Sequence, residues 1–236
     1  NNLTKPELMI LDMLANYNWD RPIYFVTQGG DLNIGLKNYL QFDGYIYKLI
    51  PIRSKTSMTE IGQIDALDMY DKIMNVYRWD SFSKDFFVDY QNLGTFCGVQ
   101  NQRFIFVQTA IGLYYEGEIQ KAVEILDKMQ EVFPEKNFPL NTSLMYSVSE
   151  MMVIQAIELY IKCEENDKAI AMAERFLDET YKSMLFFASP YGESIISAYD
   201  LRNGYNLYTF AVEVIAPVAP EMAEKYTEQL EAFLGE

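Results

Sequence analysis

The side chains available for chemistry in this chain are mostly carboxylates and aromatic rings, and there is no histidine. The 236 residues include 34 Asp and Glu against 19 Lys and Arg, together with two cysteines. Without histidine, a Ser-His or Cys-His nucleophile pair and a His-ligated zinc site are excluded. The net charge of −15 would repel phosphate backbones, so we expect no nucleic-acid partner. No glycine-rich phosphate loop or dinucleotide fingerprint is present, and we expect no cofactor.

Two groups of acidic residues have spacings that resemble cation sites. Asp65, Asp68 and Asp71 recur at helical spacing, which is more typical of a solvated helix face. Asp31–Gly35 resembles the start of a calcium loop, but Phe42 stands where such a loop needs a bidentate glutamate. We therefore predict no metal site and no catalytic residue. A hydrolase with two facing carboxylates stays as an alternative, because sequence spacing cannot test their separation.

The aromatic residues and the cysteines each allow two interpretations. Trp19, Tyr45, Tyr47 and Trp79 could stack on a sugar ring, although filling the core is the favoured interpretation because aromatic side chains bury large areas. Cys97 and Cys163 lack a CxxC or zinc spacing, and we predict that both are core residues. The sequence leaves open whether these two thiols are free.

The N-terminal part reads as a small α/β segment over residues 1–56. Thr4 and Glu7 form a capping-box pattern that predicts a helix start. The runs 23–26 and 45–50 are rich in β-branched and aromatic residues, and we predict two short paired strands there. Residues 36–40 read as a short helical turn inside a crossover between these strands. Strand signals stop after Arg53, where a helix containing Ile64 is predicted.

The rest of the chain, residues 57–236, reads as a mainly α array of tetratricopeptide-like helical hairpins. Residues 102–134 fit the 34-residue template, with Gly117 at its turn and Ala122 at its second-helix alanine. A second copy aligns Ala169 with Ala122 and puts Glu164 at the turn position. Residues 193–216 and 221–234 read as a third helical pair. In such arrays the first helix of each pair lines a groove, which makes Tyr114 and Tyr115 candidate binding residues.

Motifs near the N-terminus carry a resemblance to a known family. The stretch 16–25 reads Asn-Tyr-Asn-Trp-Asp-Arg-Pro-Ile-Tyr-Phe, and 39–44 and 47–51 follow in order at a matching distance. They resemble the C-terminal soluble region of a bacterial family of polytopic membrane proteins of unknown function. That family is related to protein O-mannosyltransferases, and helical repeats of tetratricopeptide type follow the motifs in its members. The resemblance covers about residues 3–80.

The resemblance implies a non-catalytic interaction module of a membrane glycosyltransferase-like protein. The acidic residues of glycosyl transfer would lie in a membrane-embedded part outside this chain. The implied partners are the membrane domain of its own full-length chain and an acceptor polypeptide or glycan. The implied location is the periplasmic face of the inner membrane, tethered through upstream transmembrane segments. We expect that the chain is a piece of that longer protein and that it does not itself span a membrane.

Three residues of the motif, Trp19, Arg21 and Tyr24, are candidates for an interface. The favoured interpretation of Trp19 and Arg21 is structural, with the Trp19 ring buried, Arg21 paired with a carboxylate and Pro22 setting the entry to the strand. A carbohydrate-binding module and, less favoured, a two-carboxylate glycoside hydrolase stay as alternative functions.

Overall fold

The computed structural model divides the chain into two compact units, Asn1–Met69 and Tyr70–Glu236. The structure describes residues 3–26, 35–53, 63–82, 84, 100–141, 148–190 and 198–235. The predicted boundary at residue 56 falls at 54–62, outside the described residues, and stays a prediction. Helices make up most of the described chain, so the predicted mainly α class is confirmed.

The first element is helix α1, Lys5–Ala15, and it begins as the capping box predicts. The backbone N–H of Thr4 donates to Oε2 of Glu7 at 2.5 Å, which satisfies one of the donors that a helix start leaves unpaired. This hydrogen bond lowers the pKa of Glu7. The helix ends at Ala15, and the side-chain amide of the next residue, Asn16, donates to the Asp12 carbonyl at 2.8 Å.

A four-stranded sheet follows in the same unit. Its strands are β1, Tyr24–Phe25; β2, Leu40–Asp43; β3, Ile46–Leu49; and β4, Gln63–Ile64, in the order β1-β3-β2-β4. The predicted pairing of the 23–26 and 45–50 runs is confirmed, because β1 lies antiparallel to β3. The short helical turn at Leu36–Tyr39 is also present.

The predictions of only two strands and of a crossover between them are wrong. β2 pairs antiparallel with β3 through a two-residue loop at Gly44 and Tyr45, where Gly44 has φ of 76°. Antiparallel neighbours need only such a hairpin, whereas a crossover serves parallel strands. β2 also alternates buried Leu40 and Phe42 with less buried Gln41 and Asp43, the period-2 pattern of a strand.

The prediction that no strand follows Arg53 is wrong as well. Ile64 belongs to β4, which pairs in parallel with β2, and not to a helix. Helix α2, Ala66–Asp71, starts after it and continues into a π-helical turn, Lys72–Val76. A strand of two residues is too short to leave a periodic signal, so only the pairing with β2 defines it.

The second unit contains three helical pairs among its described residues. They are α3, Gln100–Tyr115, with α4, Ile119–Val132; α5, Val148–Lys162, with α6, Asn166–Phe187; and α7, Ala198–Ile215, with α8, Pro220–Leu234. The two helices of each pair pack together, α3 also packs on α5, and α7 packs on both α5 and α6. The predicted three pairs are therefore present, whereas their assignment to the tetratricopeptide class stays a prediction.

The small residues at the repeat positions of this unit are buried. Ala110, Ala122 and Ala169, the positions where the repeat template requires small side chains, have no exposed surface. Phe106, at the template's early aromatic position, is also fully buried. None of the helices in the described part of the chain is long and apolar enough to cross a lipid bilayer.

Candidate interaction surfaces

Helix α1 leaves most of its apolar side chains in solvent. Glu7 is its only buried residue, whereas Leu8, Met9 and Met13 are 52%, 65% and 47% exposed. A helix that is apolar on several faces is normally covered, because each exposed apolar side chain forgoes the free energy of burial. The α1 surface, defined here as Leu8, Met9, Leu11 and Met13, is therefore the first candidate for an interface.

Exposed apolar side chains and charge are distributed unequally between the two units. Eleven of the eighteen exposed large apolar side chains among the described residues belong to the first unit, which is the shorter one. That unit has 6 Lys and Arg against 8 Asp and Glu, a net charge of −2, which leaves −13 of the total −15 to the second unit. The first unit is therefore the nearly neutral, apolar part of an acidic chain.

Trp19 lies on the surface of the first unit, and the prediction that its ring is buried is wrong. The side chain is 51% exposed, and its ring lies 4.9 Å from that of Tyr17. The backbone has φ of 63°, a left-handed conformation that costs a non-glycine residue about 1 kcal/mol. Asn18 and Asp20, the residues on either side of Trp19, form hydrogen bonds with each other across this turn.

The other two motif residues, Arg21 and Tyr24, follow Trp19 closely in the sequence and are also exposed. Tyr24 begins β1 with 43% of its side chain exposed, and Arg21 is exposed two residues before Ile23. No described carboxylate forms an ion pair with Arg21, and the predicted bridge to a carboxylate stays a prediction. Both residues are free to contact a partner, although nothing in the structure tests that role.

Tyr114 and Tyr115 lie at the C-terminal end of α3 in the second unit. Tyr115 is 61% exposed, Tyr114 is partly buried, and their rings meet edge-on at 5.6 Å. The hydrogen bond from Lys162 to Glu158, whose charged atoms lie 2.6 Å apart, raises the pKa of Lys162, and the two phenols add a smaller effect of the same sign. The pair therefore offers an exposed ring next to a Lys-Glu pair, and its role in a groove stays a prediction.

Trp79 and Tyr47 do not form an exposed sugar platform. Trp79 is buried in a cluster of rings in the second unit and donates from Nε1 to the Ile73 carbonyl at 2.8 Å. The ring centroids of its neighbours Phe106, Phe82 and Phe133 lie 5.0, 6.1 and 6.4 Å away. Tyr47 is partly buried, and this burial raises the pKa of its hydroxyl. Tyr45 is 51% exposed. The core interpretation is thus confirmed for Trp79.

A chain of polar contacts, here called the inter-hairpin bridge, connects the first two helical pairs and left no recognisable signal in the sequence. Tyr160 on α5 donates to Asp127 and accepts from Gln130 on α4, both at 2.8 Å. Gln130 in turn accepts from Arg175 on α6 at 2.8 Å, and Arg175 pairs with Glu135 at 2.6 Å. The residues are far apart in sequence and have no motif spacing, so only the packing of the pairs brings them together.

Arg103 is a buried cation at the start of the helical unit. Its guanidinium donates to the carbonyls of Pro139, at 2.9 Å, and Phe138, in the segment that follows α4. Burial lowers the pKa of Arg103 to about 10, against the opposing influence of nearby carboxylates, of which Glu150 has the largest effect. This side chain therefore holds the loop after the first pair against α3.

The acidic and sulfur-containing candidates show no catalytic arrangement among the described residues. Asp65 accepts the N–H of Asp68 at 3.1 Å, and Asp71 accepts from Asn75 at 2.7 Å, so these aspartates serve helix α2 and its continuation. Within the described ranges, no group of three or more His, Cys, Asp or Glu side chains is placed to hold a metal ion. Cys163 is a buried free thiol whose pKa burial raises, which confirms its core interpretation. Cys97 and Asp31 lie outside the described residues.

Comparison with known proteins gives one match, to the family model described as TMEM260-associated domain 2, over residues 1–68. The match coincides with the first compact unit and with most of the stretch that carries the resemblance, and it does not reach the helical pairs. No curated protein and no solved structure matches the chain.

Proposed function

We propose that the chain is a non-catalytic interaction module whose first unit docks on an apolar protein surface through α1 and the Trp19 turn. The partner that we propose is the membrane domain of its own full-length, glycosyltransferase-like chain. The match to a domain described as associated with TMEM260 supports an accessory role for residues 1–68. The exposed α1 surface is the single observation on which the docking proposal rests.

The strained backbone at Trp19 supports the proposal that this surface docks on a partner. A left-handed backbone and a half-exposed indole ring both cost free energy, and the ring fills no core in return. Tryptophan anchors often dominate binding energy once a partner desolvates them. A partner that covers Trp19, Tyr24 and α1 would recover the free energy of burying their exposed apolar surface.

The charge distribution supports an orientation for the complex. The nearly neutral first unit can approach an apolar protein surface at the membrane, whereas the second unit, with −13, is repelled by anionic lipid headgroups. We propose that the helical pairs then extend from the periplasmic face of the inner membrane. There Tyr114 and Tyr115 would contact an acceptor polypeptide or glycan.

Photo-crosslinking in the full-length gene product tests the docking. A photoreactive amino acid at Met9 is compared with the same group at Glu228, an exposed polar position on α8. We expect crosslinks from Met9 to the membrane-embedded part of the same chain and none above background from Glu228. Met9→Lys combined with Met13→Lys should leave the fold intact, because both side chains are exposed, and should abolish crosslinking from a probe at Leu8.

Two results would contradict this proposal. Crosslinks from Met9 only to a second copy of the chain, with a dimer in sedimentation that Met9→Lys dissolves, would make α1 a self-association surface. Equal labelling from Met9 and Glu228 would show that α1 has no preferred partner.

A further inference from the structure

We propose that the cavity lined by Arg103 and Arg175 in the second unit binds a carboxylate that carries a compact apolar group. The cavity lies between α3, α4, α6 and the segment that follows α4, and its volume is about 230 Å³. The carboxylate can belong to a free organic acid or to the C-terminal residue of a polypeptide. This inference goes beyond the proposed function, because it concerns a different unit, and failure of docking through α1 would leave it standing.

Arg103 is a buried cation with which no described carboxylate forms an ion pair. Its side chain is 2% exposed, and its hydrogen bonds within the described ranges go to the backbone carbonyls of Phe138 and Pro139. A guanidinium has five N–H donors, so these two bonds leave three donors for other acceptors. A buried charge is costly unless an opposite charge pairs with it. The described part of the chain therefore places a buried positive charge, without its own ion pair, at the wall of a cavity.

The carboxylates near Arg103 offset only part of the cost of its burial. Burial lowers the pKa of Arg103 to about 10 and outweighs the opposing effects of Glu150, Glu179 and Glu135. Oε2 of Glu179 is also engaged elsewhere, because it accepts the backbone N–H of Leu140 at 2.7 Å. Of these three carboxylates, only that of Glu135 lines the cavity. An anion inside the cavity can therefore contact the Arg103 guanidinium where the described carboxylates do not.

Arg175 adds a second guanidinium at the opening of the cavity. Its side chain is 39% exposed, and it donates to Glu135 at 2.6 Å and to Gln130 at 2.8 Å. The charged groups of the walls are two guanidinium groups and one carboxylate, so their sum is +1. Because Glu135 already pairs with Arg175, the remaining charge is that of Arg103. One negative charge matches the site, whereas a doubly charged phosphate would exceed it in a unit with a net charge of −13.

The other half of the wall residues is apolar and accepts an apolar group. Met129, Phe133, Leu140 and Met172 line the cavity, and each is at most 4% exposed. Unbranched methionine side chains adjust to irregular shapes, and their sulfur atoms make favourable contacts with aromatic rings. An apolar cavity of about 150 Å³ is enough to bind benzene, whereas sites for drug-sized ligands occupy roughly 300–1,000 Å³. A carboxylate on a single ring or a short branched chain therefore fits both the charge and the size of the cavity.

Methionine methyl NMR on the whole chain tests the site, because two of the wall residues are methionines. The probe is phenylacetate, and the matched controls are the neutral phenylacetamide, acetate, which lacks the ring, and inorganic phosphate. We expect phenylacetate to give saturable shifts of the Met129 and Met172 methyls and no shift of Met184, which is buried on α6 and does not line the cavity. Phenylacetamide should bind about tenfold more weakly, because it lacks the charge that pairs with Arg103. Acetate should also bind more weakly, because it leaves the apolar walls uncovered.

A substitution at Arg103 provides the second arm. Arg103→Gln keeps N–H donors for the loop carbonyls and removes the charge, so it should abolish the preference for phenylacetate over phenylacetamide. Arg202→Gln, which removes the same charge at an exposed position on α7, should leave that preference unchanged. Should Arg103→Gln fail to fold, the comparison of the four compounds on the unaltered chain decides.

A pair of peptides separates the two sources of the carboxylate. Acetyl-Gly-Phe with a free C-terminus is compared with its C-terminal amide. Tighter binding of the free-acid peptide than of phenylacetate would assign the site to the C-terminus of a polypeptide, and tighter binding of phenylacetate would assign it to a free organic acid. Equal affinities for phenylacetate and phenylacetamide, equal shifts with inorganic phosphate, or no saturable response to any of the carboxylates would overturn the proposal.

Discussion

Gly117 and Glu164 occupy the same left-handed position in two successive helix-helix turns, with φ of 84° and 64°. The hydrogen bonds agree as well. Gly117 and Glu118 donate to Tyr114 and Leu113 at 3.1 and 2.9 Å, while the second turn has the same spacing, from Glu164 and Glu165 to Ile161 and Tyr160, at 2.9 Å each. Two turns that differ in their key residue therefore share one geometry, and this similarity supports the alignment of the two pairs.

Opposite substitutions at these positions should change stability in opposite directions. Gly117→Ala should lower the free energy of unfolding by about 1 kcal/mol, because a Cβ is unfavourable at this φ even where space is open. Glu164→Gly should raise it by about 0.5 kcal/mol, because the strain is relieved at the cost of chain entropy. Urea unfolding measures both.

The matched control for these turns is Glu164→Ala, which removes the carboxylate and keeps the strained backbone. We expect its unfolding midpoint to stay near that of the unaltered chain. A stabilisation equal to that of Glu164→Gly would show that the charge of Glu164, and not its backbone conformation, was the unfavourable feature.

Removing one hydroxyl should weaken the inter-hairpin bridge. Tyr160→Phe leaves Gln130 and Asp127 without their shared partner, and we expect a loss of about 1–2 kcal/mol in the free energy of unfolding. Tyr115→Phe, at an exposed position, should change it by less than about 0.5 kcal/mol. Chemical denaturation of both variants makes the comparison, and equal effects would show that the bridge adds no stability.

Tyr70 should make stability depend on pH in the alkaline range. Its hydroxyl donates to Glu124 at 2.5 Å, and this bond, with a smaller effect of burial, raises the pKa of Tyr70 to about 12. Because the folded state keeps the proton that the unfolded chain releases near pH 10, the contribution is complete below pH 10 and is lost between about pH 10 and 12. After allowance for solvent screening, we expect no more than about 1 kcal/mol.

The difference between the unaltered chain and Tyr70→Phe isolates this contribution from those of the other tyrosines. Urea midpoints at pH 8 and pH 11 should show the advantage of the unaltered chain shrinking at the higher pH. An advantage that is constant over this range would mean that Tyr70 titrates at its ordinary pKa.

Several features could be predicted from the sequence because they depend on neighbours within a few residues. The capping box of Thr4 and Glu7, the turn at Gly117 and the three helical pairs follow from local hydrogen bonding and from the period of apolar residues. Even Glu164 could be placed at a turn, because the repeat spacing locates the turn whichever residue stands there.

Other features were decided only by tertiary contacts. β4 exists because Gln63 and Ile64 pair with β2, and a pattern of only two residues cannot predict that pairing. The exposure of Trp19 was missed because its type favours burial, whereas its left-handed turn places the ring in solvent. The inter-hairpin bridge joins residues separated by 30 or more positions, so its geometry arises only when the helical pairs pack. Local propensities therefore determined the helices of this protein, whereas long-range packing determined β4 and the surfaces.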